Sequence, residues 1–429
     1  MRLIYTLFLL SLLNAAFAQS LYFPPAEGDD WATLQPDSLN WCPEKVDSLL
    51  AFVESRDTKA FIILKDGKIV LERYFGTFQQ DSIWYWASAG KSLMAAVIGL
   101  AQEDGYLDIN DPVSDYMGAG WTECPPEKEA LITIRNQITM TTGLDDAVED
   151  DATNSCFEPT CFQYLVDAGT RWAYHNSPYR YTQELVEAAT GVNLTLYTRL
   201  RLGNAIGMKG GWFGNVYYSK ARDMARFGLL MLAEGQWGGT PVMIDTAYFN
   251  AMITPSQDLN QSYGYLWWLN GQPSFMLPAT QLVLNGPMVP EAPADMYAAL
   301  GKNDQKIYVI PSERLVVVRQ GNNAGPVVAA ASSFDNQLWA RLSEMECLTA
   351  AAEVEPRPDW TIAPNPTTDE IRVMGKADIA HLELLNSSGV VVRNVADQRM
   401  DVAGLVPGIY FLRIWTTKGL SGTERIVIH

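Results

Sequence analysis

The sequence predicts an α+β fold, an antiparallel sheet with a helical insertion, followed by a small C-terminal all-β sandwich. Three observations lead there. An early pair of apolar runs, residues 61–64 and 69–71, is joined by Asp66-Gly67, a hairpin signal. A late pair, residues 306–310 and 315–319, is joined by Pro311-Ser312-Glu313-Arg314, and the chain between the two pairs reads as mostly helical. Strands at both ends of a helical stretch are the pattern of one sheet holding an insertion. Beyond residue 360, short alternating runs such as Ile371-Arg372-Val373 and Leu382-Glu383-Leu384 are separated by Gly, Asn and Pro turns, the pattern of a sandwich.

Taken in order, residues 1–18 carry Arg2, an apolar run from Leu7 to Leu13 broken only by Ser11, and Ala16-Phe17-Ala18 before Gln19. That is the pattern of a secretory signal peptide, with an apolar run too short to span a bilayer. No cysteine follows the cleavage signal, which argues against a lipoprotein, and with no second apolar span no transmembrane segment is predicted. Val46, Leu49, Leu50 and Val53 then mark a first helix. The 429 residues, 48% of them hydrophobic, divide into a main domain at 19–349, a linker at 350–360 rich in Pro and small residues, and a terminal domain at 361–429. A net charge of -18 argues against nucleic acid, whose phosphates require clustered Lys and Arg. Five cysteines in an exported chain permit disulfides; Cys156 and Cys161 lie close enough to pair locally, and Cys42, Cys124 and Cys347 remain open. Of three histidines, His381 and His429 fall beyond the main domain, so neither a His-rich zinc site nor any cofactor is expected.

The chemistry concentrates at Trp86-Ala87-Ser88-Ala89-Gly90-Lys91, where an apolar helix begins (Leu93, Met94, Val97, Ile98, Leu100). Positions i and i+3 share a helix face, so Ser88 and Lys91 fall within reach of each other. A serine hydroxyl attacks a carbonyl only when a base takes its proton. Lysine becomes that base when burial and the positive end of a helix disfavour its charge, here under the aromatics Trp84, Tyr85 and Trp86. The plain alternative is an N-cap serine followed by a surface lysine. A second element, Trp172-Ala173-Tyr174-His175-Asn176, offers a tyrosine to relay a proton and an asparagine to hold a substrate amide or the lysine. Its alternative is an aromatic-rich packing loop. A Ser-His-Asp triad would have to use His175, but Trp86 stands where Gly-x-Ser-x-Gly needs its first glycine. Trp172, Tyr179, Trp267 and Trp268 favour an apolar acyl or aryl group in the pocket.

Ser-x-x-Lys followed by Tyr-x-Asn resembles the serine β-lactamase and penicillin-binding-protein superfamily, closest to the class C-like branch that includes esterases and 6-aminohexanoate-dimer hydrolases. Linking stretches support this over about residues 40–348: 104–113, Ile132-Thr133-Ile134-Arg135 with Met140-Thr141-Thr142-Gly143-Leu144, and 219–228. The resemblance implies a β-lactamase-like sheet with a helical subdomain. It implies an acyl-enzyme on Ser88, activated by Lys91, with Tyr174 serving the leaving group and Asn176 the substrate. A third motif, on a strand beside the serine, corresponds to Gly301-Lys302-Asn303-Asp304-Gln305, where Gly301 and Gln305 fit an esterase-type form and Asp304 replaces its second glycine. The family lends the N–H after that first glycine to the oxyanion, which here is the amide of Lys302. Ester or amide hydrolysis is the leading expectation; a β-lactamase or D-amino-acid peptidase, and a silent binding protein of the same fold, are the alternatives. Pro364-Asn365-Pro366, Gly389-Val390-Val391 and Leu405-x-x-Gly408-Ile409-Tyr410 resemble the C-terminal sorting domain of type IX secretion, which implies export to the surface or medium and that machinery as partner of residues 361–429. A carbohydrate-binding or adhesive sandwich is the alternative.

Overall fold

The computed structural model describes residues 20–147, 156–325, 332–347, 360–375, 378–386, 389–417 and 419–429. The expected signal peptide and residues 350–359 of the expected linker lie outside them. Two compact units are present, one ending at Glu346 and the other beginning at Cys347.

The first unit is built on a six-stranded antiparallel sheet in the order Lys68–Tyr74, Thr58–Lys65, Leu315–Gly321, Gln305–Ile310, Tyr297–Gly301, Trp268–Leu269. Both expected strand pairs form. The first turns at Asp66 (φ 54°) and Gly67 (φ 81°), two left-handed residues in succession, as a tight hairpin demands. The two pairs join across the sheet centre, with Ile62 opposite Val318 and Phe61 opposite Arg319.

Helices cover both faces, which is why the strands read as continuous apolar runs. On one face Gly228 of the helix Ala221–Leu232 meets Val316 and Ile307 with no room for a side chain. On the other, Trp339 of the helix Ser333–Leu342 packs edge-on to Tyr308, ring centroids 5.6 Å apart. Between the strand pairs runs the insertion with the helices Gly90–Glu103 and Asn176–Thr190, the first buried from Gly90 through Ala101. Cys156 pairs with Cys161, Cys42 and Cys347 are both disulfide-bonded, and Cys124 is a buried thiol whose pKa burial pushes up. Among the described residues no helix is long and apolar enough to cross a membrane.

The second unit has a three-stranded sheet (Trp360–Ala363, Glu370–Gly375, Arg399–Asp401) and a four-stranded one (Val391–Val395, Ile379–Leu385, Gly408–Thr416, Gly419–Ile428). Alternate residues of both, among them Ile371, Val373, Leu382, Leu384, Leu412, Ile414 and Ile426, form one core.

The strand Tyr297–Gly301 carries the fold to the site. A Cβ on Gly301 would lie 2.5 Å from the carbonyl oxygen of Trp86 and 3.0 Å from the nitrogen of Ala89, both backbone atoms that cannot swing aside. Gly301→Ala is therefore expected to cost about 1–3 kcal/mol, the usual penalty for overpacking, read as a shift in the denaturant midpoint against the parent protein.

Candidate active site

Ser88 sits in a single 3₁₀ turn, Ala87–Ala89, that opens the helix Gly90–Glu103. The residue before it, Ala87, is held at φ 48°, a left-handed conformation that L-residues adopt at a cost. Trp86 anchors the turn. Its N–H donates to the Tyr217 carbonyl at 2.8 Å and its indole N–H to Ser219 Oγ at 2.8 Å, while its ring packs against Tyr217 and Phe227. The chain thus enters the helix at a fixed angle, with Ser88 only half-buried.

Lys91 follows one helical step later and is 5% exposed. Its Nζ donates to Ser88 Oγ at 3.5 Å, a long contact of the kind seen in unliganded nucleophile–base pairs. The aromatics above it differ from the expectation. Tyr179 lies 3.8 Å and Tyr174 5.3 Å from Nζ to ring centroid. Trp84 and Tyr85 belong to a short strand that pairs with Val216–Ser219 and leads away before the helix starts: Trp84 donates to the Gly321 carbonyl, and Tyr85 accepts from Asn303 Nδ2 at 2.8 Å.

Tyr174 is set by its neighbours, stacked on Trp268 at 5.7 Å and flanked by Tyr263 at 6.2 Å and Trp172 at 6.4 Å. Burial drives the hydroxyl pKa values of Tyr179 and Tyr263 upward, so both rings stay neutral walls. Asn176 is the first residue of the helix Asn176–Thr190, whose Tyr179 covers Lys91, and it is half-buried; the preceding His175 is buried. Of the four aromatics expected at the pocket, Trp172, Tyr179 and Trp268 join this cluster, whereas Trp267 is a core residue between Phe227 and Tyr297. Tyr263 escaped the sequence reading because nothing around it in the chain marks it apart from other buried tyrosines.

Past Gly301 the strand ends in a turn. Lys302 is exposed, and Asn303 and Asp304 are both left-handed, at φ 61° and 56°. Gln305, expected on the substrate side, is fully buried. Its Nε2 donates to the carbonyls of Gly321 at 2.6 Å and Asn303 at 2.8 Å, and its Oε1 accepts from Gly321 N–H at 3.1 Å. With its amide engaged by backbone on both sides, Gln305 holds the turn rather than a substrate. No group of carboxylates, histidines and cysteines suited to a metal occurs among the described residues.

The Beta-lactamase family model matches residues 51–338, and the Secretion system C-terminal sorting domain model matches residues 361–429. An uncharacterized protein of Alkalihalophilus pseudofirmus is 21% identical over 306 residues, 61% of this chain and 83% of its own length. Among solved structures, a Bacillus anthracis protein provisionally assigned as a 6-aminohexanoate-dimer hydrolase superposes with a TM-score of 0.58 at 17% identity, over 75% of this chain and 87% of that one. A family VIII carboxylesterase gives 0.50 at 14%, over 70% and 96%. A penicillin-binding protein homolog from Caulobacter crescentus gives 0.50 at 14%, over 71% and 97%. At such identities the likeness to these structures is one of fold. The family match spans both the Ser88 turn and the sheet strand that abuts it, and the chain belongs to the beta-lactamase family, with a C-terminal segment of the secretion sorting-domain type.

Proposed function

We propose that the protein is an exported serine hydrolase that cleaves a carboxyl ester or amide through an acyl-enzyme. The observation that carries this reading is the Ser88–Lys91 pair, with the amine buried under two tyrosine rings and the Gly301 backbone pressed against the same turn. Ser88 Oγ attacks the carbonyl carbon while Lys91 Nζ takes the hydroxyl proton. The carbonyl oxygen, now negative, is met by the amides of Ser88 and Lys302. The Lys91 ammonium hands that proton through Tyr174 to the departing alkoxide or amine as its bond to the acyl carbon breaks, which leaves the lysine neutral again, and Asn176 orients the substrate. A water molecule, deprotonated by the same lysine, then attacks the acyl carbon and returns Ser88 to its starting state. The buried rings of Trp172, Tyr263 and Trp268 pack around Tyr174 and hold it beside Lys91.

Lys91→Met fills the lysine's volume but accepts no proton, so the fold is expected to persist while turnover of a short p-nitrophenyl ester falls about a hundredfold or more. The check is a pairing of steady-state kinetics with fluorophosphonate labelling mapped to Ser88. Turnover retained in Lys91→Met would move the base elsewhere, with His175 the first to test. Absence of label on the parent protein would favour a silent binding protein, and a chromogenic cephalosporin turned over faster than the ester would favour the lactamase or D-peptidase reading.

The sorting-domain match supports passage through a type IX system to the surface or medium, with residues 361–429 as the address. A chain ending at Ala352 is then expected to label at Ser88 like the full-length protein yet collect in the periplasm of a type IX host, as cell fractionation would read. Unchanged export of the shortened chain would show that the address lies elsewhere.

A further inference from the structure

The turn after Gly301 ends in a buried carboxylate. Asp304 is fully buried and left-handed, at φ 56°. Both its carboxylate oxygens face donors. Oδ1 accepts from Ser332 Oγ at 2.7 Å and pairs with Lys306 Nζ at 3.2 Å, and Oδ2 accepts from the Ala324 N–H at 3.1 Å. Lys306, also fully buried, reaches on to Asp335 at 2.9 Å. Asp335 in turn accepts from Tyr308 O–H at 2.6 Å and from Ser332 N–H at 2.8 Å, where it closes the capping box of the helix Ser333–Leu342. The carbonyls of Asn303 and Asp304 accept from Arg319 Nη1 at 3.2 and 2.8 Å.

Left-handed residues cost free energy unless something holds them, and two in succession leave the preceding amide free to rotate when the hold is lost. Here the hold is electrostatic and dry. One lysine bridges two carboxylates, and one of the two belongs to the turn itself. On the other side of that turn, Gly301 already touches the backbone of the Ser88 turn, so a rotation at Asn303–Asp304 is taken up at the Lys302 peptide.

We propose that Asp304 is a positioning residue for the acyl-transfer step, using the Lys306–Asp335 relay to fix the Lys302 amide in the direction of the oxyanion. This rests on the hydrolase reading above. An amide at this position would place an N–H against the Lys306 ammonium on one side or the Ala324 N–H on the other, donor against donor, because asparagine offers one acceptor where aspartate offers two.

The experiment compares an aryl ester with its thionoester in the parent protein and in Asp304→Asn. An oxyanion site stabilises developing charge on oxygen far better than on sulfur, so loss of its geometry lowers the ester rate selectively, whereas general loosening of the fold lowers both rates together. The ester-to-thionoester ratio of kcat/KM is expected to fall about tenfold or more in Asp304→Asn, within the range seen when an oxyanion donor is displaced or removed, with KM for the ester little changed. Ser332→Ala, which deletes one donor to Asp304, is expected to move the ratio in the same direction by less, and it decides the matter if Asp304→Asn does not fold. A ratio unchanged in the variants, or equal losses on both substrates, overturns the proposal. A parent protein that hydrolyses neither substrate and takes no label at Ser88 overturns it together with the hydrolase reading, while an active parent with an unmoved ratio removes this proposal alone.

Discussion

The approach of the Gly301 backbone to the turn that carries Ser88 is the constraint on which the first unit depends. Ordinary nonbonded contacts to a Cβ begin well beyond the 2.5 Å that Trp86 O would impose, so only a residue without one allows the strand to come this close. Everything else in the sheet delivers that strand. Tyr297–Gly301 is paired to Gln305–Ile310, that strand to Leu315–Gly321, and Leu315–Gly321 to the early strand Thr58–Lys65, so a residue near 300 meets one near 88 across a sheet made from both ends of the unit.

Placing that junction inside the protein brings charge with it. Lys306 and Arg319 are both fully buried on the sheet face that meets the helix Ser333–Leu342, and burial, opposed by Asp304 and other nearby acidic groups, leaves the Arg319 pKa lowered to about 10. Buried ions cost several kcal/mol each unless paired and fully hydrogen-bonded. Arg319 is bonded by Thr58 Oγ1 and by the carbonyls of Arg56, Asn303, Asp304 and Asn322, and Lys306 by two aspartates. The bonds to Asn303 and Asp304 fall on the chain between 302 and 305, so the electrostatic satisfaction of the sheet and the shape of the turn beside Ser88 are coupled.

Much of this was legible in the chain. Asp66-Gly67 between apolar runs announced the hairpin because only turn residues tolerate two positive φ values in succession, and Ser88 with Lys91 announced a shared face because three positions make nearly one helical turn. The late strand pair, the helical insertion and the sandwich followed from periodicity. The aromatic cover of Lys91 did not, because proximity in sequence pointed to Trp84 to Trp86 whereas the covering rings are Tyr179, on the helix Asn176–Thr190, and Tyr174, on the loop before it. Gln305 was misread for a related reason. Its motif position resembles that of a substrate ligand, but whether an amide faces a pocket or a neighbouring strand is decided by register, and here it faces Gly321. Asp304 registered only as a departure from a glycine; its partner Ser332, and Asp335 which shares Lys306 with it, lie about thirty residues away and carry no mark of the pairing.

The central claim is that Ser88 and the strand end beyond Gly301 face one reacting carbonyl. A crystal structure of the protein after reaction with a fluorophosphonate tests it most directly. The account predicts phosphorus bonded to Ser88 Oγ and a phosphonyl oxygen about 2.7–3.1 Å from the backbone nitrogens of both Ser88 and Lys302. A phosphonyl oxygen turned to solvent, or phosphorus on any other residue, would contradict it.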